Sequence, residues 1–253
     1  MKFVAIADTD IGTSKMNNQD SLLIKHAVKA NSEVLLAVVC DGMGGLSKGE
    51  LASATVIRAF SEWFDQELPK ELLNLDMKVI GGKWELMLKD LNLKIQEYGK
   101  MIGANLGTTF SGILFVDNSF LIGHVGDTRI YHIGNSMNQL TEDQTVIARE
   151  ISRGNLTIEQ AKRDKRRNML LQCIGASRVV MPQILYGTLE PGAYMLCSDG
   201  FRHEITEGEM YQTLNASNLM DKQVMRNKVR YLIDLVKSRQ ERDNISVVLI
   251  KAE

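Results

Sequence analysis

The sequence predicts an α+β fold in which two packed β-sheets lie between layers of helices. Three consecutive segments, 108–116, 120–125 and 129–133, show a period of two residues and indicate a meander of strands. Before and after this meander, segments such as 46–68 and 221–238 are predicted to be helices. Strands clustered between pairs of helices are typical of two sheets that pack face to face and carry helices outside.

The first half of the chain is predicted to contain three strands and two long helices. The apolar run 34–39 has β-branched members and predicts a strand that is covered on both faces. The helix 46–68 carries apolar residues at helical spacing and ends at Pro69. A second helical region, with an apolar stripe from Trp84 to Tyr98, follows an interruption predicted at Gly81-Gly82. The two remaining strands of this half are 2–8 and 21–27.

The segments after the meander are predicted to alternate between helices and strands. The predicted helices are 141–153, 157–163, 207–214 and 221–238, and the predicted strands are 179–187, 193–197 and 244–251. The chain has no internal repeat, low-complexity tract or linker, and it has only three prolines. We therefore expect a single domain across residues 1–253.

Composition and charge are those of an ordinary globular protein and argue against several function classes. The net charge of the 253 residues is −1, so nothing electrostatic favours nucleic acid or an anionic membrane as a partner. The basic run 162–167 is interrupted by Asp164 and indicates a solvated surface or a docking loop. No apolar stretch approaches the ~20 residues that span a bilayer. The three cysteines lack paired spacing, from which we infer a reducing, cytoplasmic location.

The central motif of the sequence is a predicted apolar strand that is followed directly by a carboxylate and then by glycines. Asp41 comes directly after the apolar strand, and Gly42, Gly44 and Gly45 follow it. Without Cβ atoms the backbone can turn sharply, and a carbonyl oxygen can approach a ligand closely. This geometry suits a hard cation. An Asp-Gly pair is also a strong turn signal, and a hairpin turn is the more frequent interpretation of the pair when it stands alone.

Recurrence of the same pattern favours the cation. Four further carboxylates stand at the ends of predicted strands, next to small or polar residues: Asp20, Asp127, Asp199 and Asp243. If these strand ends coincide in space, five carboxylates converge, and such a cluster needs cations because like charges repel one another. All-oxygen ligation without a thiolate or an imidazole favours Mg²⁺ or Mn²⁺ over zinc.

These carboxylates belong to short motifs that follow one another along nearly the whole chain. The motifs are Asn18-Gln19-Asp20, Asp41-Gly42-Met43-Gly44-Gly45 with Gly49-Glu50, Gly107-Thr108-Thr109, Gly126-Asp127-Thr128-Arg129, Leu140-Thr141-Glu142-Asp143, Ser198-Asp199-Gly200 and Asp243-Asn244. Each is weak alone, but the ordered set resembles the protein phosphatase 2C family, the metal-dependent Ser/Thr protein phosphatases, in its bacterial type. The resemblance implies an α-β-β-α four-layer sandwich, with two mostly antiparallel sheets flanked by helix pairs and a metal centre in a cleft at one end.

The resemblance also implies roles for individual residues around two Mg²⁺ or Mn²⁺ ions. Asp41 would bridge the two ions, and the carbonyl of Gly42 would help to hold one of them. Asp20 would orient the attacking water. The remaining ligands would be Asp199 and Asp243 for the other ion, and Asp127 together with Asp199 for a third ion of the kind that related bacterial enzymes hold.

Such a centre implies hydrolysis without a covalent enzyme intermediate. A hydroxide that bridges the two ions would attack the phosphorus of phosphoserine or phosphothreonine in line. The ions would also neutralise charge on the phosphoryl oxygens as the bond breaks. Lys15 stands where the family usually has the arginine that grips the substrate phosphate, so that a point charge replaces a bidentate fork.

Two functional classes remain open from the sequence. The favoured one is a monomeric phosphoprotein phosphatase whose partners are phosphorylated proteins and which reverses a Ser/Thr kinase. The alternative is a non-catalytic relative that keeps the fold as a sensor or scaffold. The presence of Asp41, Asp199 and Asp243 favours the enzyme. A phosphatase of a partner-switching pathway would differ from the first class in substrate rather than in chemistry.

Overall fold

The structure is a computed structural model that describes residues 2–29, 32–44, 48–161 and 163–252. Three residues named in the sequence predictions lie outside this part of the chain. They are Gly45 of the glycine turn, Leu46 at the predicted start of the first helix, and Lys162 of the basic run. None of the described helices is both long enough and apolar enough to cross a membrane.

The described residues form twelve strands and eight α-helices. The strands are β1 (Phe3–Asp10), β2 (Ser21–Lys29), β3 (Ser32–Cys40), β4 (Gly42–Gly44), β5 (Leu106–Thr108), β6 (Phe110–Val116), β7 (Ser119–Val125), β8 (Arg129–Ile133), β9 (Met137–Gln139), β10 (Gln183–Thr188), β11 (Gly192–Cys197) and β12 (Ile245–Ala252). The helices are α1 (Gly49–Gln66), α2 (Leu68–Glu71), α3 (Met77–Ile102), α4 (Val146–Ser152), α5 (Ile158–Ala161), α6 (Asp199–Arg202), α7 (Glu207–Leu214) and α8 (Lys222–Ser238).

The strands within the described ranges form two five-stranded sheets and one short ribbon. The first sheet has the order β1-β12-β11-β8-β9, and the second has the order β10-β7-β6-β3-β2. The ribbon pairs β4 with β5. Every pair of neighbouring strands is antiparallel. The three strands predicted at 108–116, 120–125 and 129–133 are present, but the predicted meander is wrong, because β8 leaves the sheet of β6 and β7 and joins the other sheet.

Three apolar layers hold the sheets and helices together, and they confirm the α-β-β-α sandwich. Between the sheets, Phe115 of β6 meets Tyr194 of β11 with ring centroids 4.9 Å apart. On the outer side of the second sheet, Trp84 of α3 packs edge-on against Phe110 of β6. On the outer side of the first sheet, α7 and α8 bury residues such as Leu232. Each sheet is therefore covered on both faces, which explains the nearly continuous apolar sequence of its central strands.

Helix α3 runs without a break through Gly81-Gly82, so the predicted interruption is wrong. Asp76 is the N-cap of the helix, and its carboxylate accepts a hydrogen bond from the backbone N–H of Lys78 at 2.8 Å. Gly103, in the left-handed conformation, is the C-cap. Gly81 faces the second sheet, and a side chain there would collide with the hydroxyl of Tyr186. The glycine thus permits close packing of a helix on a sheet, and this contact outweighs its weak helix propensity.

Other boundaries are shorter than the sequence predicts. The helix predicted at 141–153 begins only at Val146, because Thr145 caps it and Thr141 instead accepts a hydrogen bond from the N–H of Ile130 at 3.1 Å. The side chain of Asp143 pairs with Arg129. These tertiary contacts hold the residues before Val146 in a non-helical loop. The predicted segments 157–163 and 179–187 shrink to α5 and β10, and β4, β5 and β9 were not predicted.

A buried histidine makes the stability of the fold sensitive to acid. His124 of β7 is buried, and its ring nitrogens bond to the hydroxyl of Ser111 at 2.8 Å and to the carbonyl of Glu142 at 3.0 Å. The neutral imidazole with its proton on Nε2 satisfies both bonds. Burial lowers the pKa of His124 to about 4, although the carbonyl of Glu142 opposes this effect.

This pKa predicts that His124 destabilises the fold below neutral pH. The folded pKa lies below that of an unfolded histidine, so the unfolded chain binds more protons, and stability is lost as the pH falls from about 6.5 towards 4. We expect the contribution of His124 to the unfolding free energy to be about 2 kcal/mol lower at pH 5 than at pH 7.5. Urea unfolding of the wild type and of His124→Gln at both pH values measures the difference. An equal pH dependence in the two proteins would contradict the prediction.

Candidate metal centre

The registers of the two sheets bring four of the predicted carboxylates to the same end of the sandwich. In the second sheet, Ser21 pairs with Cys40, so that Asp20 and Asp41 stand side by side just beyond the strand ends. In the first sheet, Cys197 pairs with Val247, and the N–H of Ser198 bonds to the carbonyl of Ser246 at 3.0 Å. Asp199 and Asp243 therefore leave the ends of β11 and β12 as neighbours. Antiparallel pairing explains why two of these acids precede a strand and two follow one.

Electrostatics shows that the carboxylates of the two sheets share one site. Asp41 is partly buried, and desolvation of its carboxylate is the main reason that its pKa lies well above the usual value. The charges of the other four acids raise that pKa further: Asp20, Asp199, Asp127 and Asp243. The structure thus brings together all five carboxylates that the sequence analysis singled out.

Unsatisfied oxygens in this cluster indicate that a cation belongs there. Both carboxylate oxygens of Asp20 are buried without a hydrogen-bond partner of good geometry, and so is Oδ1 of Asp199. Burial raises the pKa of Asp20 to about 7, with the charges of Asp199 and Asp243 acting in the same direction, although the hydroxyls of Ser198 and Ser246 lower it. Buried carboxylate oxygens without partners are costly unless a cation or a proton neutralises them. The donor set is all oxygen, which fits Mg²⁺ or Mn²⁺.

The acids do not enclose a single ion by themselves. Within residues 2–29, 32–44, 48–161 and 163–252, no three His, Cys, Asp or Glu side chains are placed to ligate one ion together. A centre that divides these acids between two ions, and completes each shell with a backbone carbonyl and water, is consistent with this arrangement. The geometry alone therefore establishes a site of concentrated negative charge, and the assignment of each ligand remains a proposal.

The backbone around Asp41 is held rigidly by the ribbon of β4 and β5. The N–H of Asp41 donates to the hydroxyl of Thr109 at 2.9 Å, and the carbonyl of Asp41 accepts from the hydroxyl of Thr108 at 2.9 Å. At Gly42 a Cβ atom would collide with the backbone carbonyls of Gln19 and Gly49. Only glycine fits this position, which explains why a glycine directly follows the acid.

Asn244 connects the two halves of the site, although the sequence analysis assigned it no role. Its amide nitrogen donates to the carbonyls of Ile11 at 3.0 Å and Asn17 at 3.2 Å, and its amide oxygen accepts from the N–H of Gln19 at 2.9 Å. The loop that carries Lys15 is thereby tied to the loop that carries Asp243. The motif Asp243-Asn244 was visible in the sequence, but nothing in the sequence indicated these bonds.

Lys15 lies beside the carboxylate cluster and contacts one of the proposed metal ligands. Its ammonium is 2.7 Å from Oδ1 of Asp243, and both side chains are about 40% exposed (41% and 39%). Burial lowers the pKa of Lys15, but the bond to Asp243 and the charges of Asp41 and Asp199 outweigh burial and raise that pKa above its usual value. Lys15 therefore stays positively charged, and it lies beside the acids at the solvent-exposed edge of the cluster.

Two basic side chains that the sequence analysis did not assign to the site follow Asp199. Arg202, the last residue of α6, is close to Asp127, with 3.5 Å between Nη2 and Oδ2. His203 lies 3.6 Å from Oδ2 of Asp199 and 3.6 Å from Oε2 of Glu241. Since α6 starts at Asp199, its single turn places these side chains back beside the acids. That placement could have been inferred only with knowledge that a helix begins at Asp199.

A groove leads away from the carboxylates. It has a volume of about 1450 Å³, and its lining includes Asp127 and Asp243 at the carboxylate cluster. Farther along, the lining includes Arg149 of α4 and Arg167, the last residue of the basic run. A groove of this size accommodates an extended peptide segment rather than only a small phosphate ester.

Comparison with known proteins identifies the class of protein that this fold and this cluster define. The model of the protein phosphatase 2C family matches residues 12–247, and the chain belongs to that family. Phosphatases of this family use metal ions. A putative protein phosphatase 2C-type of Streptococcus pyogenes is 28% identical over 252 residues, which are 97% of this chain and 96% of the relative.

Solved structures of bacterial phosphatases resemble the whole chain. The serine/threonine phosphatase of S. agalactiae superimposes with a TM-score of 0.87 at 26% identity and covers 100% of both chains. The catalytic domain of the serine/threonine protein phosphatase PstP, solved in complex with two manganese ions, has a TM-score of 0.80 at 25% identity. That match covers 98% of this chain and 97% of the solved catalytic-domain chain. These similarities confirm the α+β sandwich predicted from the sequence.

Proposed function

We propose that the protein is a metal-dependent phosphoprotein phosphatase that hydrolyses phosphoserine and phosphothreonine. The observation that carries the proposal is the convergence of five carboxylates at one end of the sandwich, with buried oxygens that lack a hydrogen-bond partner of good geometry. Such a site favours a cation, and it opens into a groove wide enough for a protein segment. The substrates would be cytoplasmic phosphoproteins, and the enzyme would reverse a Ser/Thr kinase.

The proposed cofactors are two Mg²⁺ or Mn²⁺ ions. Asp41 would be shared between them, with the carbonyl of Gly42 on one side and Asp199 and Asp243 on the other. Bound ions of this kind activate water as a nucleophile near neutral pH and neutralise charge on the phosphoryl group. The unsatisfied Oδ1 of Asp199 and the close approach of the backbone at Gly42 support this division of ligands.

The remaining residues of the site would bind and orient the reactants. Asp20 has two buried oxygens without a hydrogen-bond partner of good geometry, so it would accept hydrogen bonds from water and orient it towards the phosphorus. Lys15 would release Asp243 when cations arrive and bind a phosphoryl oxygen instead. The side chain is long, charged and partly exposed, which suits this exchange.

The test of the function is metal-dependent hydrolysis of a phosphothreonine peptide. Protein treated with EDTA should release no phosphate, and addition of Mn²⁺ or Mg²⁺ should restore turnover. A phosphotyrosine peptide of the same sequence should be hydrolysed much more slowly. Turnover that persists in EDTA would refute the metal mechanism, and absence of turnover with either ion would favour the non-catalytic alternative.

Lys15→Ala should weaken phosphate binding rather than chemistry. Loss of one charge–charge contact predicts a KM about tenfold higher, with a smaller change in kcat. Lys15→Arg should keep the lower KM because the charge is retained. Lys94→Ala, an exposed lysine on α3 that pairs with Asp90, is the matched control and should behave as the wild type. An unchanged KM in Lys15→Ala would contradict the assigned role.

A further inference from the structure

The carboxylate assigned to a third ion already faces a cation of the protein itself. Nη2 of Arg202 donates to the main-chain carbonyl of Asp127 at 3.0 Å and lies 3.5 Å from Oδ2 of the same residue. Both side chains are largely buried, at 12% exposed for Arg202 and 10% for Asp127. A guanidinium keeps its charge at every pH at which proteins fold.

The neighbouring acid does not draw this charge away. Asp143 is already bound by the fork of Arg129, with Nε at 2.8 Å from Oδ1 and Nη2 at 2.6 Å from Oδ2. Arg202 is more distant from Asp143, at 3.9 Å, and its Nε is buried without a partner. The positive charge of the Arg202 side chain is therefore available to balance the negative charge of Asp127.

The backbone fixes Arg202 in this position. It ends the single turn of α6, which starts at Asp199, and Gly200 of that turn lies so close to the carbonyl of Asn244 that a side chain could not fit. Arg202 thus lies three residues after Asp199, and its guanidinium contacts Asp127. These are the two acids assigned to the third ion. A divalent ion at Asp127 would lie close to this fixed positive charge in a site with little water, where like charges repel strongly.

From these contacts we propose that Arg202 takes the place of a third metal ion at Asp127, so that this protein binds two divalent ions and not three. The inference rests on the proposed two-ion centre. In this role Arg202 is a positioning residue, because it acts by holding Asp127. The positive charge beside Asp127 is then permanent and does not depend on the concentration of metal.

The number of Mn²⁺ ions bound per chain tests the inference independently of turnover. Equilibrium dialysis with metal analysis is applied to the full chain and to Asp127→Asn, Arg202→Ala, Arg202→Lys and the double variant Asp127→Asn/Arg202→Ala. We expect two ions in the wild type, in Asp127→Asn and in Arg202→Lys. We expect three ions in Arg202→Ala, where the acid is freed, and a return to two in the double variant.

Every outcome bears on the inference. A third ion in the wild type that Asp127→Asn removes would overturn it, and so would a count that stays at two in a folded Arg202→Ala. If Arg202→Ala does not fold, as judged by thermal melting, the comparison of the wild type with Asp127→Asn still decides the question. A wild type that binds no ion at all would overturn the proposed metal centre and this inference together, which distinguishes the two failures.

Discussion

Replacement of Asp41 by Asn should abolish turnover while leaving the fold intact. The substitution preserves shape but removes the charge that we place between the two ions, and we expect kcat/KM to fall at least ~10³-fold, which is about 4 kcal/mol of transition-state stabilisation. Phosphate release from a phosphothreonine peptide in saturating Mn²⁺ measures the loss. Binding of Mn²⁺ should weaken in parallel.

A stability measurement separates this loss from unfolding. Asp41 is partly buried beside four other acids, so its neutralisation should leave the metal-free protein at least as stable as the wild type. Asp90→Asn is the matched control, because Asp90 is exposed on α3 and pairs with Lys94 at 2.7 Å. Asp41→Asn with more than a tenth of the wild-type activity would contradict the role assigned to this carboxylate.

The largest loss of stability is expected from Trp84→Ala. Trp84 is completely buried between α3 and the second sheet, and its ring meets those of Phe60 at 5.0 Å, Trp63 at 5.6 Å and Phe110 at 6.1 Å. Removal of the indole leaves a cavity that these rings cannot fill, which costs about 3–5 kcal/mol. The melting temperature should fall by about 10 °C.

Leu86→Ala provides the control on the same helix. Leu86 lies two residues after Trp84 but is 69% exposed, so its truncation should change the unfolding free energy by no more than about 0.5 kcal/mol. Thermal melting of both variants in EDTA keeps bound metal out of the comparison. A loss below about 1 kcal/mol in Trp84→Ala would show that the aromatic cluster is not a principal contributor to stability.

The carboxylate site and the apolar layers act on stability in opposite directions. Burial, with the charges of Asp199 and Asp243 acting in the same direction, raises the pKa of Asp20 to about 7, whereas an aspartate in an unfolded chain ionises near pH 4. In the metal-free protein Asp20 therefore reduces stability as the pH rises from about 4 towards 7, because the folded state binds more protons. Divalent ions that bind only the folded state reverse this effect. The three apolar layers provide the stability that lets such a site exist before the ions arrive.

Much of this protein was predictable from local patterns in its sequence. Period-two alternation located the central strands, and the stop of a buried strand at Asp41-Gly42 located the centre of the site. The five acids at strand ends converge in the structure, as predicted, because antiparallel pairing brings the end of one strand beside the start of the next. Local propensity was misleading at Gly81-Gly82, because α3 continues through both glycines and Gly81 packs close to Tyr186.

The sequence by itself determined which chemistry the chain can perform, because the residue types and their order along the chain carry that information. Only the tertiary structure decided which cation meets which acid. Arg202 faces Asp127, Lys15 pairs with Asp243, and Asn244 joins two loops more than 200 residues apart in the chain. These contacts depend on how the two sheets pack and on where a single helical turn starts. Long-range packing leaves no periodic signal in a sequence, since each partner alone is an ordinary polar residue in a loop.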